Sequence, residues 1–386
     1  MKKKVSIWMI PLAVVVSVAL TIGAFCWGLS AFTNHNAAAL ARLLYVQFRI
    51  HSGFVGDPFT NRQLFDGAMK GMVSSLNDPY SEYLDAKAFS SMSQVTNGTF
   101  GGIGVVLGQK GKDHVVIAPQ EGSPGARAGI KAGDKILSVD DQDVRNLSLE
   151  EVVSRVRGEK GTHVKITLQR KDSDKTYTVD IVRDDIKIES VAGRLLPGTQ
   201  IGYIRIAVFN EQTGADFAKT YRQLEQEGMQ ATLLDLRQNP GGLLTECLKV
   251  ANFLVPKGPV VSITDKEGQT QVYNSTLEAV KYPLAVLVDH GSASASEIVS
   301  GALQDTKAGR LFGVQTYGKG CVQTIYQLSA DSALKLTTAM YYTPSGRSIH
   351  QTGIKPDEVV ELPQDATRDV QLEAAETYLK NELTKR

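Results

Sequence analysis

This sequence of 386 residues lacks the features that several large enzyme classes require. It has three cysteines and six histidines, with neither an H-E-x-x-H motif nor the clustered Cys/His spacing that holds a metal ion. Its net charge of +1 gives no indication of nucleic-acid binding. No repeat, low-complexity tract or long charge run is present. The sequence therefore predicts no metal, no cofactor and no nucleic-acid partner.

The cysteines are too few and too far apart to predict a disulfide framework. Cys26 lies in an apolar run without a convincing lipid-attachment pattern. Cys247 and Cys321 fall in the C-terminal half. A disulfide formed outside the cell and two free buried thiols are both open alternatives for this pair.

The N-terminus predicts a location. Three lysines at positions 2–4 precede an uncharged, mostly apolar run over residues 5–29. Such a run is long enough to span a bilayer, and the basic residues place its N-terminal side in the cytoplasm. We therefore predict a single-pass signal-anchor, with the remainder of the chain outside the cytoplasm. The alternative is a signal peptide cleaved near the small residues 37–39, which would release a secreted or periplasmic form.

Ser294 and Lys319 are the strongest candidates for catalysis. Residues 284–289 (LAVLVD) have the pattern of a buried strand, and helical spacing follows from Glu297, so Ser294 is predicted at a strand-to-helix turn. Backbone N–H groups at a helix N-terminus favour a developing oxyanion. A serine hydroxyl needs a base, and a lysine with a pKa depressed by burial can act as one. A buried Lys319 beside Ser294 would make the protein a hydrolase.

Each residue also has a structural interpretation. Ser294 and Glu297 have the spacing of a capping box, which stabilises a helix start without any catalysis. Lys319 alone fits a solvated loop lysine. Histidine-based catalysis is the competing mechanism: His290 lies at a strand end and points elsewhere by this pattern, whereas a role for His350 near the site stays open. No G-x-S-x-G motif surrounds Ser294.

The motif GSASASEI over residues 291–298, followed by TYGKGCVQ over residues 316–323, resembles the core of the C-terminal processing peptidases, or tail-specific proteases. Two further segments fit the same family, LDLRQNPGG at residues 234–242 and YTPSGRSI at residues 342–349. The resemblance runs from about residue 40 to residue 360. It implies that Ser294 is the nucleophile, that Lys319 is the general base, and that Gln323 helps to hold the lysine.

The same resemblance implies an oxyanion hole. In this family a glycine N–H of the N-P-G-G turn and the N–H after the nucleophile stabilise the negative oxygen. Carried over, these are Gly242 and Ala295, with Gly241 as the alternative to Gly242; a plain strand–turn–helix connection is the structural interpretation of that turn. Asp305 matches a family position near the site, and we interpret it as supporting structure.

Residues 93–185 resemble a PDZ domain, most specifically in the segment SPGARAGIKAGDKI at residues 123–136. PDZ domains bind C-terminal tails by adding them as a strand to a sheet edge. Backbone N–H groups of a glycine-rich loop would take the terminal carboxylate; that loop consists of Gly101, Gly102, Ile103 and Gly104. A tight turn without a ligand is the structural alternative. Arg157 either couples tail binding to the core or caps the end of its helix.

Five segments follow from these patterns. They are a basic start and transmembrane anchor (1–30), a helical N-terminal segment (31–92), a PDZ domain (93–185), a serine protease core (186–362) and a charged C-terminal helix (363–386) that is a lid, a dimer contact or a solvated tail. Alternating strands and helices predict an α/β sandwich for the core. The fold class is therefore α/β, with a crotonase-like protease core and an inserted PDZ domain.

The sequence leaves three functional hypotheses. The first is a membrane-anchored, extracytoplasmic serine endopeptidase that selects protein or peptide substrates by their free C-terminal tails. The second is an inactive PDZ scaffold that presents tails to another protease. The third is an acyl-transferring or lipid-binding enzyme, which the missing acyl-CoA signature disfavours. Ser294, Lys319 and Gln323 favour the first. The oligomeric state stays open, with a homo-oligomer as one alternative.

Overall fold

The computed structural model describes residues 9–32, 36–171, 173, 175–363 and 367–385. The helices of this part of the chain are α1 (Met9–Phe32), α2 (Ala37–Gly53), α3 (Asn61–Ser74), α4 (Ala86–Asn97), α5 (Pro124–Arg127), α6 (Leu149–Val156), α7 (Thr213–Gln226), α8 (Leu244–Leu254), α9 (Ala295–Asp305) and α10 (Val370–Thr384).

The strands form four sheets. In chain order they are β1 (Glu82–Leu84), β2 (Thr99–Gly102), β3 (Val105–Lys110), β4 (Asp113–Pro119), β5 (Lys135–Val139), β6 (Gln142–Asp143), β7 (His163–Gln169), β8 (Thr176–Val182), β9 (Asp184–Lys187), β10 (Val191–Leu195), β11 (Ile201–Ile206), β12 (Ala231–Asp235), β13 (Gly258–Asp265), β14 (Thr270–Ser275), β15 (Leu284–Val288), β16 (Arg310–Gly313), β17 (Cys321–Ser329), β18 (Ser332–Tyr342) and β19 (Glu358–Val359).

The first of two compact units, residues 1–75, contains α1, α2 and α3. Thr60 begins α3 with a capping box, since its side chain accepts from the Gln63 N–H while Gln63 accepts from the Thr60 N–H. Helix α1 covers most of the predicted anchor, whereas the lysines at positions 2–4 lie outside the described residues. Over the described ranges, no helix combines the length and apolar character needed to cross a membrane. The predicted transmembrane anchor is therefore not supported.

The second compact unit, residues 76–386, contains a short strand in a segment that the sequence predicted as helical. Residues 40–90 have a helical pattern, but residues 82–84 form strand β1, which pairs antiparallel with β18. Tyr83 and Leu84 are buried in that position. Tertiary pairing therefore decides the conformation of this short segment, as it often does where propensity is weak.

The PDZ-like region contains a sheet in the order β3-β4-β5-β7-β8, with β6 on β5. Helix α6 covers it, and Val152 and Val156 of that helix pack into an apolar cluster with Val164, Ile166 and Leu168 of β7. Strand β3 is at the edge of the sheet, and among the described strands it pairs with β4 alone. An extended peptide could therefore add at its free side.

The C-terminal core is built on a sheet in the order β10-β11-β12-β15-β16-β19, parallel from β11 onward. Alternate residues of its strands face two apolar clusters. One cluster includes residues of α7, α8 and α9, and the other includes Ala375 and Leu379 of α10. A second sheet, β1-β18-β13-β14 with β17 on β18, completes the core. This mixed α/β architecture agrees with the sequence prediction.

Helix α10 is not a solvated tail. Ala375 and Leu379 are fully buried against the sheet. At the start of the helix, Asp369 accepts hydrogen bonds from Arg237 Nη1 at 2.9 Å and Nη2 at 2.8 Å. This bidentate pair joins α10 to the loop that follows β12.

Candidate active site

The candidate site lies where three neighbouring parallel strands end. The loops after β12, β15 and β16 carry the N-P-G-G turn, Ser294 and Lys319, respectively. Because carboxyl ends of parallel strands share one edge of the sheet, these loops meet there. The Ala293 N–H donates to the Asn239 carbonyl at 3.0 Å, and the Tyr317 N–H donates to the Ser292 carbonyl at 3.0 Å.

Three serines lie close together in the sequence, but only one lines the cavity. The hydroxyl of Ser292 donates to the Leu236 carbonyl at 2.8 Å, and that of Ser296 donates to the Asn239 carbonyl at 3.0 Å. Both side chains are fully buried. They hold the β12 and β15 loops together, whereas Ser294 contributes to the cavity wall.

Ser294 has an unusual backbone conformation, with φ 55° and ψ −113°. Ser123 and Ser148, which cap α5 and α6, have ordinary extended geometry near φ −70°. A positive φ in a non-glycine residue is strained, and such strain is concentrated at functional turns. The predicted capping box is present, and in it Glu297 Oε2 accepts from the Ser294 N–H at 2.9 Å. Helix capping alone therefore does not explain the strained backbone conformation of Ser294.

The first glycine of the N-P-G-G turn packs against Ser294, and the second packs against the backbone of Phe209. A Cβ on Gly241 would lie 2.8 Å from Ser294 Cβ, and one on Gly242 would lie 2.1 Å from the Phe209 carbonyl oxygen. The Gly241 N–H already donates to Asn239 Oδ1 at 2.9 Å. Within the described chain, the N–H groups of Gly242 and Ala295 have no acceptor. This favours Gly242 over Gly241 as the free donor.

Lys319 follows β16 in a partly buried loop and lines the same cavity as Ser294. Burial lowers the pKa of its amine, and the nearby charge of Lys335 lowers it further. None of the described carboxylates forms an ion pair with it. A lysine without a counterion in an apolar setting has a larger neutral fraction, which is what a proton acceptor needs.

Glu297 connects the serine turn to the lysine loop and is fully buried. Besides the Ser294 N–H, its carboxylate accepts from Thr316 Oγ1 at 2.6 Å, from the Gly318 N–H at 2.8 Å and from the Lys319 N–H at 2.9 Å. Burial raises the pKa of this carboxyl, while the hydrogen bonds oppose that effect. The capping pattern predicted only the first contact, because the other three come from a separate loop.

We expect Glu297→Gln to disturb both loops, because an amide NH₂ would face backbone N–H donors. The free energy of unfolding should fall by about 1–3 kcal/mol, the usual effect of leaving buried polar groups unpaired. Peptide cleavage should fall with it. Thermal melts and turnover would measure both effects. Glu278→Gln, at an exposed position, is the control; wild-type stability and turnover in Glu297→Gln would contradict this account.

Gln323 lines the cavity, but its amide does not hold the lysine. Its Nε2 lies 3.2 Å from Cys321 Sγ and 3.4 Å from Thr337 Oγ1, and no hydrogen bond joins it to Lys319 in the described structure. The side chain turns toward β18, its neighbouring strand. Cys321 and Cys247 are both free and buried, so the alternative of a disulfide between them is wrong. The side chain of Cys26 lies outside the described residues.

The cavity has a volume of about 570 Å³. Gly242, Ser294, Ala295, Lys319 and Gln323 all line it. The other walls are largely apolar and include Met92, Val95, Val208, Leu244, Ile298 and Tyr341. The structure therefore brings together in one cavity the residues that the sequence predicted, from separate motifs, as nucleophile, base and oxyanion donors.

The remaining candidates lie outside this arrangement. His290 is exposed, and Asp305 forms an ion pair with Arg347 at 3.1 Å and accepts from Ser345 Oγ at 2.6 Å. His350 packs against Tyr80, with ring centroids 6.1 Å apart. No group of three metal-binding side chains occurs among the residues described. Tyr80 was not among the candidates from the sequence, since it lies far from the catalytic motifs, but its ring centroid lies 5.4 Å from Lys319 Nζ.

The predicted carboxylate loop is divided between two environments. Gly101 and Gly102 belong to β2, which pairs with β9, whereas Gly104 lines a second cavity of about 620 Å³ beside Val105 and Val106. Arg157 follows the last residue of α6, lines this cavity and stacks on Phe100 at 4.3 Å. The edge strand β3 thus borders a cavity suited to an extended peptide.

Comparisons with known proteins agree with these observations. Residues 200–360 match Peptidase family S41, residues 115–170 match a PDZ domain, and residues 32–88 match the activating protease CtpB N-terminal domain. The carboxy-terminal-processing protease of Bartonella bacilliformis is 39% identical over 84% of this chain and 75% of its own length. The carboxy-terminal processing protease CtpA of Bacillus subtilis is 37% identical over 82% of this chain and 68% of its own.

A solved structure of a putative S41 protease from Bacteroides fragilis has a TM-score of 0.52 and 17% identity. The match covers 86% of this chain and 92% of the other. At that level of identity the likeness concerns the fold alone.

Proposed function

This chain belongs to the S41 family of carboxy-terminal processing proteases, which are serine peptidases, and from that premise we propose that it is an endopeptidase with a Ser294–Lys319 pair. The observation that carries the proposal is the shared cavity: it contains Ser294 at a strained turn and Lys319 with a lowered pKa and no ion pair to a described carboxylate. The inactive scaffold is disfavoured, because Ser294, Lys319 and the backbone of Gly242 and Ala295 all line this one cavity.

The proposed mechanism uses the residues that line this cavity. Neutral Lys319 accepts the proton of the Ser294 hydroxyl as Oγ attacks the scissile carbonyl, and the N–H groups of Gly242 and Ala295 stabilise the oxyanion. The protonated amine then donates its proton to the leaving nitrogen, which frees the new N-terminus and leaves an acyl-enzyme. A water molecule, deprotonated by Lys319, hydrolyses that ester and restores the serine.

We also propose that the PDZ domain selects substrates by their C-terminal tails. The tail would add as a strand to β3, with its carboxylate near Gly104. Arg157 lies at the same cavity, and its guanidinium is available to a carboxylate because its contact there is with the ring of Phe100. Location outside the cytoplasm stays a prediction from the N-terminal sequence, which cell fractionation would test.

We expect amidation of a substrate's C-terminus to weaken binding by roughly tenfold to a hundredfold. The amide removes the charge and with it a charge-assisted hydrogen bond of about 1.5–3 kcal/mol. Cleavage of matched acid and amide peptides measures the effect. If tail binding activates the core, a separate free-acid peptide should raise the turnover of the amidated substrate. If the PDZ domain only tethers substrates, the added peptide should compete with the free-acid substrate and lower its turnover. Equal cleavage of both substrates, unaffected by the added peptide, would contradict tail selection.

A further inference from the structure

The ring of Tyr80 lies against the amine of Lys319. The distance from Lys319 Nζ to the ring centroid is 5.4 Å, within the range of about 6 Å over which an aromatic face attracts a cation. Tyr80 lies far from the catalytic motifs in the sequence and outside the segment matched to the S41 family. No carboxylate in the described ranges forms an ion pair with Lys319, whereas the ring of Tyr80 lies within reach of its amine.

The backbone around Tyr80 is fixed on both sides. Asp78 Oδ1 accepts from the Tyr80 N–H at 3.2 Å, and Asp78 Oδ2 accepts from Ser81 Oγ at 2.6 Å. The Thr337 N–H of β18 donates to Ser81 Oγ at 3.0 Å, just before β1 joins the same strand. These contacts hold the backbone that carries the ring without involving the lysine, as a positioning residue requires.

The segment that contains His350 also packs against the ring of Tyr80. The rings of Tyr80 and His350 meet at an interplanar angle of 62°. A Cβ on Gly320, in the lysine loop, would lie 2.6 Å from the backbone nitrogen of His350. Tyr80 therefore lies between the lysine loop and this segment. Burial raises the pKa of the Tyr80 phenol to about 12, so the ring is uncharged near neutral pH.

Charged groups on every neighbouring element act on Lys319. Lys335 on β18 disfavours the ammonium, whereas Cys321 on β17, Asp78 before β1 and Glu297 on α9 favour it when ionised. Burial is the largest influence, and it lowers the lysine pKa. Exclusion of water from the amine therefore determines the direction in which the lysine pKa shifts. An aromatic ring beside the amine contributes to that exclusion.

We propose that Tyr80 is a positioning residue for the base: its ring holds the Lys319 amine at the cavity and keeps water from it. The inference rests on the proposed Ser294–Lys319 mechanism. It assigns a part of the active site to the N-terminal side of the PDZ region, because Tyr80 precedes that region in the chain.

The test is the pH profile of kcat/KM for Tyr80→Phe, Tyr80→Ala and Tyr80→Val. Tyr80→Phe keeps the ring and should stay within about threefold of wild type, with the same profile. Tyr80→Ala removes the attraction between ring and ammonium but admits water to the amine; because burial is the largest influence on this lysine, the second effect should prevail and the apparent pKa should rise by about one unit. Activity near neutral pH should then fall about tenfold, and the loss should recover at high pH. Tyr80→Val should move the profile in the same direction by less.

Thermal melts identify which truncations remain folded, and Tyr326→Ala at an exposed position of β17 is the matched control, expected to keep the wild-type profile. A folded truncation at Tyr80 that keeps the wild-type profile, or that loses activity equally at every pH, would overturn the inference. Lys319→Met is measured alongside. If Lys319→Met is active, the Ser–Lys mechanism itself fails; if it is inactive and the Tyr80 profiles do not shift, only the Tyr80 inference fails.

Discussion

Ser294→Ala is expected to abolish peptide cleavage, with kcat falling on the order of 10⁴-fold or more. A nucleophile and its base act as a unit, so loss of the nucleophile alone removes most of the catalysis that the pair provides. The fold should persist, because the backbone N–H of residue 294 still reaches Glu297 and the change removes only one hydroxyl. Tail binding should also persist. Single-turnover assays on a tailed peptide would measure cleavage, and a thermal melt of each variant would measure folding.

Ser292→Ala and Ser296→Ala are the matched controls, because they remove hydroxyls of the same motif. Each hydroxyl donates to a backbone carbonyl, so these variants should lose about 1 kcal/mol of stability while keeping much of their activity. Comparing the three variants therefore separates the loss of the nucleophile from the loss of a hydroxyl that only holds the loops together. Wild-type cleavage by Ser294→Ala would show that the nucleophile has been assigned to the wrong residue.

The parts of the fold with strong local patterns were predictable from the sequence. The run at residues 284–289 was predicted as a buried strand and forms β15, which ends at Val288. A short, continuous apolar run of this kind is a strong local signal for a buried strand. Strand β1 was missed because three residues carry no period of their own. The burial of α10 was missed because its many charged residues hide the two that contact the sheet, Ala375 and Leu379.

For the site, the sequence supplied residue types and the structure supplied their contacts. The resemblance to the peptidase family connected Ser294 with Lys319, since each residue lies in a local motif of that family. The hydrogen bonds of Glu297 to the Lys319 loop, and the ring of Tyr80 at the amine, join residues 22 and more than 200 positions apart. Such contacts depend on how the sheets assemble, so no local pattern predicts them. The contact of Gln323 with Cys321 instead of Lys319 is the reverse case, in which a role transferred by resemblance is not matched by the geometry.

Lys319→Arg is expected to be inactive, because a guanidinium keeps its proton at any pH at which the enzyme is folded and cannot accept one from Ser294. In the wild type, kcat/KM should rise with pH as the amine loses its proton. The midpoint should lie below the usual lysine value of 10.5, since burial lowers this pKa. Wild-type-like turnover in Lys319→Arg would move the role to a histidine, with His350→Ala as the next variant.

Stability offers a second, independent measure of the same lysine. Because the folded state lowers the pKa of Lys319, folding is opposed by its charged form at every pH below the folded pKa. That penalty disappears as pH rises toward 10.5. Lys319→Met removes the charge and keeps the side-chain length, so it should be inactive but at least as stable as the wild type at neutral pH. The difference in melting temperature should shrink as pH increases toward 10.5. A Lys319→Met protein that is less stable than the wild type at neutral pH, with a difference that does not depend on pH, would mean that the amine is not held in the desolvated state that the mechanism requires.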